Sequence, residues 1–373
     1  MRYSTKKVVI SVIFMLCFFL AACGNVEQGR GGVVEGRYFL LLNDNETISI
    51  NTYEDNKINE LQTFVISESS LFATDQEERV AILHADKNIV IIYEFQTSQK
   101  VELSIPYKIK PISMLLNGDN LFIGGVMYEG LGEEMLVQYH IQSGKWYRLE
   151  IPNFLLRWGK AVDDLVVCDS FLIAIDNIVM PKYLLFYHLN STGKLEFSHY
   201  KELKSNGAWE TIRQGRITSD YLGLLSSTQS GWRGSFEHIT ILDIVDLTRT
   251  FAISIETVGF SLEEMNQIQE SDWPNFYTIN DFLLVGDKVF FAHRTKGLGV
   301  FEIDDSYFNF KSDPEDSWYA HFNPRVDSDK INYIQIRNGE IIRLTPIPDE
   351  SKFVITTINT QGRIRHEIFE VYP

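Results

Sequence analysis

A hairpin-like segment recurs along this 373-residue chain at nearly constant spacing, and a chain that repeats a small strand unit has few ways to bury its apolar faces. Tyr93-Glu94-Phe95-Gln96 through Leu103-Ser104-Ile105-Pro106 matches Tyr139-His140-Ile141-Gln142 through Leu149-Glu150-Ile151-Pro152 at an offset of 46. A third copy, from Tyr187 to Lys194, starts 48 residues beyond the second and repeats Gly144-Lys145 as Gly193-Lys194. In each copy alternating apolar residues flank a short polar turn, the pattern of a β-hairpin. A further strand-like run precedes each: Val80-Ala81-Ile82-Leu83, Leu121-Phe122-Ile123 and Phe171-Leu172-Ile173-Ala174-Ile175. Units of about 40 to 50 residues built from about four short strands have the size of propeller blades.

Continuing the count places units at residues 36–66, 79–106, 111–152, 161–200, 216–256, 280–310 and 331–371. The chain is therefore read as an all-β propeller of seven blades, each of about four antiparallel strands. Six and eight are the adjoining counts, because the first and sixth units are ragged. Long runs of helical period are lacking, and the 13% aromatic content with abundant Ile, Val and Tyr suits strands. The exception is a short helical insertion predicted near 257–278, where Ser261 and Glu264 fit a capping box.

The N-terminus has a different character. Arg2, Lys6 and Lys7 precede an uncharged apolar run from Val8 to Leu20, a secretory signal too short for a comfortable membrane span. Leu20-Ala21-Ala22-Cys23 then resembles the lipobox of bacterial lipoproteins. That resemblance implies cleavage before Cys23, a diacylglyceryl group on its sulfur and a further acyl chain, such as palmitate, on the new amine. Two or three chains at about 0.8 kcal/mol per buried methylene make a stable anchor. The expected organisation is a signal peptide at 1–22, a lipidated cysteine and glycine-rich tether at 23–33, and a propeller at 34–373.

Cleavage leaves 351 residues with 31 Lys plus Arg against 50 Asp plus Glu, a net charge of −19. Such a surface excludes nucleic acid as a partner and repels anionic lipid, so membrane attachment falls to the anchor. Of the three cysteines, Cys17 leaves with the signal and Cys23 carries lipid, so the body holds only Cys168 and no disulfide. Its setting in Leu165-Val166-Val167 reads as a buried small hydrophobe.

Gly124-Gly125, followed by Tyr139 and Trp146, resembles a Kelch repeat, in which paired glycines end a strand and the aromatics pack between blades. The body as a whole resembles Kelch-like and WD40-like propellers, and the resemblance implies architecture, with no ligand attached to it. Signatures for catalysis, cofactors and metals are missing: there is no phosphate loop, no Gly-x-Ser-x-Gly elbow, no His-Glu-x-x-His, no Cys-x-x-Cys and no EF-hand spacing. No cofactor is expected. His140 and His188 share a repeat position and are read as solvent-facing residues on different blades. Asp163-Asp164, Asp304-Asp305 and the run from Asp313 to Asp316 are read as solvated loop charge rather than cation ligands.

Tryptophan placement is less bland. Trp158, Trp209, Trp273 and Trp318 fall between the last strand of one unit and the first strand of the next, and Trp232 falls in a middle loop. In propellers such connections emerge on one face. Large rigid aromatics there suit sugar rings or protein side chains, with Arg157, Lys160, Arg213 and Arg233 as neighbouring donors. The competing use is as wedges filling gaps between blades. The expected function is a non-enzymatic recognition or scaffold protein of the cell envelope, anchored on the extracytoplasmic side of a bacterial membrane and binding an envelope protein or glycan. The alternative is a propeller enzyme, a glycan hydrolase or lyase, with carboxylates from separate blades around the central channel.

Overall fold

In the computed structural model the described residues are 38–43, 47–67, 69–75, 78–127, 134–152, 162–168, 171–176, 182–190, 193–203, 210–218, 220–229, 235–244, 250–256, 279–294, 296–303, 332–334, 339–347 and 351–371. They form seven antiparallel sheets, and no helix occurs among them. Blade 1 holds β1 (Tyr38–Leu42), β2 (Thr47–Glu54) and β3 (Lys57–Val65); blade 2 holds β4 (Ser70–Thr74), β5 (Arg79–His84), β6 (Ile89–Glu94) and β7 (Lys100–Ser104). Blade 3 comprises β8 (Ile109–Asn117), β9 (Asn120–Met127), β10 (Glu134–His140) and β11 (Lys145–Arg148). Blade 4 comprises β12 (Val162–Cys168), β13 (Phe171–Asp176), β14 (Lys182–Leu189) and β15 (Leu195–Leu203). Blade 5 has β16 (Glu210–Ile217), β17 (Tyr221–Gln229), β18 (Ser235–Asp243) and β19 (Thr250–Glu256). Blade 6 has β20 (Ile279–Val285), β21 (Lys288–His293), β22 (Gly297–Glu302) and β23 (Asn332–Ile334), and blade 7 has β24 (Glu340–Pro346), β25 (Lys352–Ile358) and β26 (Ile364–Glu370).

Every sheet is a meander with its first strand at one edge. These first strands touch in sequence, β1 to β4, β8, β12, β16, β20 and β24, and β24 returns to β1. Seven sheets therefore stand around one axis, with the first strand of each innermost. Among the described residues no strand is exchanged between the first and last sheets; the ring closes through side chains, Phe39 and Leu41 of blade 1 against Ile347 and Val354 of blade 7.

Strand alternation explains why the middle strands are apolar on both faces. In β5, Val80 and Ile82 join the cluster between blades 1 and 2, whereas Ala81 and Leu83 join the one between blades 2 and 3. In β13, Leu172 and Ala174 face blade 3, and Ile173 and Ile175 face blade 5. Successive side chains point to opposite faces, and both faces are covered by neighbours. The matched tyrosines serve the same geometry: Tyr93, Tyr139 and Tyr187 each pack toward the preceding blade, and the Tyr187 hydroxyl donates to the Glu150 carbonyl of blade 3 at 3.0 Å. The hairpin turns repeat too, with Ser98, Gly144 and Gly193 all at positive φ, 56°, 64° and 77°.

The unit boundaries shift in three places. Blade 2 begins at Ser70, nine residues before Arg79 where the hydrophobic run becomes obvious, because β4 is short and half-buried throughout. Blade 5 begins at Glu210, because Arg213 and Gln214 interrupt the apolar pattern of β16. The segment 332–334 pairs with β22 and so completes blade 6, not blade 7. The insertion predicted at 257–278 lies outside the described residues.

Candidate functional site at the propeller axis

The innermost strands of blades 3 to 7 share a feature that hydrophobic patterning conceals: each carries one extra residue against its partner strand. The extra residues are Ile112, Asp163, Arg213, Asn280 and Ile342. A bulge bends its strand and re-aims the side chains around it. Here it turns polar groups toward the next blade. From the bulges, Arg213 donates to the Ile279 carbonyl at 2.7 Å and Asn280 to the Ile341 carbonyl at 2.6 Å. One residue further along, Ser113 donates to the Val162 carbonyl at 2.9 Å. Two of the residues that follow a bulge, Asp164 and Asp281, act as acceptors. Asp164 accepts the Gly215 N–H of blade 5 and its neighbour's N–H from Leu165, and Asp281 accepts those of Leu344 in blade 7 and Phe282, both at 2.9 Å.

Glycines make room for this belt. A Cβ on Gly215 would stand 2.6 Å from Ile175 Cδ1, and one on Gly124 would stand 2.5 Å from Ser113 Oγ. Gly124 and Gly125 thus lie inside β9 opposite the bulge of β8, rather than ending a strand as the Kelch pattern has it. Tyr139 and Trp146 do pack toward blade 2, with ring centroids 4.9 Å apart.

Charge concentrates between blades 5, 6 and 7. Glu237, almost wholly buried, pairs with Arg213 and accepts the Ile279 N–H at 2.6 Å. Asp281 receives Arg216 at 3.1 Å and the Gln214 amide at 2.7 Å in addition to its two backbone donors. Burial pushes the Asp164 carboxyl above the usual range; the Gly215 hydrogen bond, the Arg216 charge and the Leu165 hydrogen bond oppose this, and the Asp281 charge adds to it. Arg343, which follows the bulge of β24, lies 5.1 Å from the centroid of the Phe72 ring in blade 2 while feeling the charges of Asp281 and Arg216. A guanidinium that reaches blades on both sides of the ring sits at the axis.

The residues singled out in the sequence divide sharply. Cys23 and all five candidate tryptophans, Trp158, Trp209, Trp232, Trp273 and Trp318, lie outside the described residues, as do Arg157, Lys160 and Arg233. In sequence, Trp158, Trp209 and Trp273 fall between the strands of consecutive blades, Trp232 between β17 and β18, and Trp318 between β22 and β23. Arg213 is a donor within the belt. Asp163 and Asp164 are strand residues of β12 rather than loop charges, and Asp164 is spent on backbone amides. His140 and His188 stand on blades 3 and 4, and His140 hydrogen-bonds Ser143 at 2.9 Å. Cys168 ends β12. Asp304-Asp305 and 313–316 lie outside the described residues. Among the described residues no group of three or more His, Cys, Asp or Glu side chains is placed to hold a metal ion.

No protein-family model matches the chain, and no curated protein matches it in sequence. Its shape has many counterparts. The β-propeller domain of Cps50 (Swd1) from Myceliophteria thermophila superposes with a TM-score of 0.52 at 14% identity, covering 89% of this chain and 92% of that one. A chain of the Mitotic Checkpoint Complex gives 0.53 at 9% identity, covering 90% and 84%. At such identities the likeness carries architecture alone: this chain has a β-propeller body.

Proposed function

We propose that the protein is a lipid-anchored extracytoplasmic propeller that recognises an envelope protein or glycan and performs no chemistry of its own. The observation that carries this reading is the use made of the inner carboxylates. Asp164 and Asp281 come from separate innermost strands near the axis, as an enzyme of this fold would require, and Glu237 stands two strands further out on β18, yet each accepts a backbone amide from the following blade and so binds one blade to the next. A general acid has to present an O–H to its substrate. Both oxygens of Asp164 already face N–H donors, so its raised pKa reflects burial within a structural joint. The anchor rests on the run from Arg2 to Cys23, and the recognition surface on the connections that carry the tryptophans.

Two measurements test the reading. Growth of a bacterial host with an alkyne fatty acid should label the full chain and leave Cys23→Ser unlabelled; equal labelling refutes the anchor. Capture of envelope proteins and glycans on the chain from residue 24 should retain a partner that is lost when Trp209 and Trp273 become alanine. A turnover of envelope polymers that disappears in Asp164→Asn would overturn the non-enzymatic reading.

A further inference from the structure

The belt follows a rule, and it breaks at one place. The residue after each bulge bonds across to the following blade: Ser113 to blade 4, Asp164 to blade 5, Gln214 to blade 6 and Asp281 to blade 7. The next in line is Arg343, whose following blade is blade 1. The inner strand of blade 1, Tyr38–Leu42, is unbulged; it turns Phe39 and Leu41 toward blade 7, while Tyr38 packs toward blade 2 against Phe95. Among the described residues the half-buried Arg343 guanidinium has the Phe72 ring on one face and no hydrogen-bond or ion-pair partner. Two residues along β24, on the same side of the strand, the buried Thr345 Oγ1 also lacks a hydrogen-bond partner. A buried hydroxyl left unmatched costs about 1–3 kcal/mol, and a guanidinium costs more.

We propose that Arg343 and Thr345 form a binding site for a small hydroxylated carboxylate, of the sugar-acid class, at the axis of the ring. The forked N–H edge of arginine matches a planar carboxylate in two parallel bonds, and an aromatic face beneath the guanidinium leaves that edge free. Thr345 stands about 7 Å further along the strand, a distance that a six-carbon sugar acid spans between carboxylate and hydroxyl. Asp281, already saturated by four donors, stays a neighbour rather than a competitor. The net charge of −16 selects a singly charged ligand over a polyanion. This inference goes beyond the recognition reading and needs neither the anchor nor the tryptophans, so it can fail or stand separately from them.

The test uses the chain from residue 24, which contains every described strand of the closed ring, with D-glucuronate, glucose, acetate and inorganic phosphate at constant ionic strength. Calorimetric titration should show saturable binding of D-glucuronate, weaker binding of acetate and none of glucose. Arg343→Gln should weaken glucuronate at least tenfold, in line with loss of a charged hydrogen bond of about 1.5–3 kcal/mol. Thr345→Val, which leaves the guanidinium in place, should weaken glucuronate several-fold without changing acetate, and it guards against an Arg343 variant that fails to fold. Phosphate binding as tight as glucuronate, equal binding by glucose, or glucuronate affinity unchanged in either variant would each overturn the assignment.

Discussion

Blades 3 to 7 and blades 1 and 2 solve the same packing problem with different chemistry. In blades 3 to 6, bulged inner strands send side chains into the backbone of the following blade, and Arg213–Glu237 and Arg216–Asp281 reinforce the joints. The first strands of blades 1 and 2 are short and unbulged, and the join between blades 7 and 1 relies on Phe39, Leu41, Ile347 and Val354, with Lys352 reaching the Tyr53 hydroxyl at 3.4 Å further out. Directional bonds suit neighbours that are close in sequence and share a register. Apolar contact is non-directional, which suits the meeting of chain segments about 300 residues apart, where closure entropy is greatest.

The comparison can be broken from either side. Glu237→Gln should cost about 3–5 kcal/mol of unfolding free energy in urea titration, since it strands the Arg213 charge between blades. Phe39→Ala should cost a similar ~3–5 kcal/mol by cavity formation. Hydrogen exchange separates them: the first should speed exchange in β16 to β20, the second in β1, β24 and β25. A uniform response to both would dissolve the distinction between the two regions.

A smaller effect sharpens the role of close approach. Gly215→Ala should destabilise by about 1–3 kcal/mol, because its methyl meets Ile175 and Val166 and pushes the Gly215 N–H away from Asp164. An unchanged denaturation midpoint would show that the blades have slack there.

Smallest at neutral pH, where it vanishes, is a pH dependence. Burial, with the Lys296 charge adding, lowers the His293 pKa to about 4. The unfolded chain therefore takes up this proton first. The contribution of His293 is complete above about 6.5 and is lost as pH falls from there toward 4. His293→Gln should flatten that part of the stability profile, and a profile identical to that of the native chain would remove His293 as its source.

Much of the architecture was legible in the sequence because the hairpin has a period and a turn. Tyr93, Tyr139 and Tyr187 repeat since each fills the same gap, and Ser98, Gly144 and Gly193 repeat since each turn needs positive φ. The belt was not legible. A bulge adds one residue without altering composition, so Arg213-Gln214 looked like an interruption before blade 5 and Asp163-Asp164 like a loop. A signal was nonetheless there: Val-Asp-Asp-Leu, Ile-Arg-Gln-Gly and Ile-Asn-Asp-Phe each place two polar residues after an apolar one at the start of a blade. The long connection between β22 and β23 hid the last strand of blade 6 for a different reason, since three residues are too few to register as a periodic run.

The two-sidedness of the middle strands has an evolutionary corollary. A blade such as the one from Ser70 to Ser104 carries one half of each of two different interfaces. Copying it in tandem would set its blade-3 half, Ala81 and Leu83, against its own blade-1 half, Val80 and Ile82, so a duplicated blade fits the ring only once the new seam is repacked.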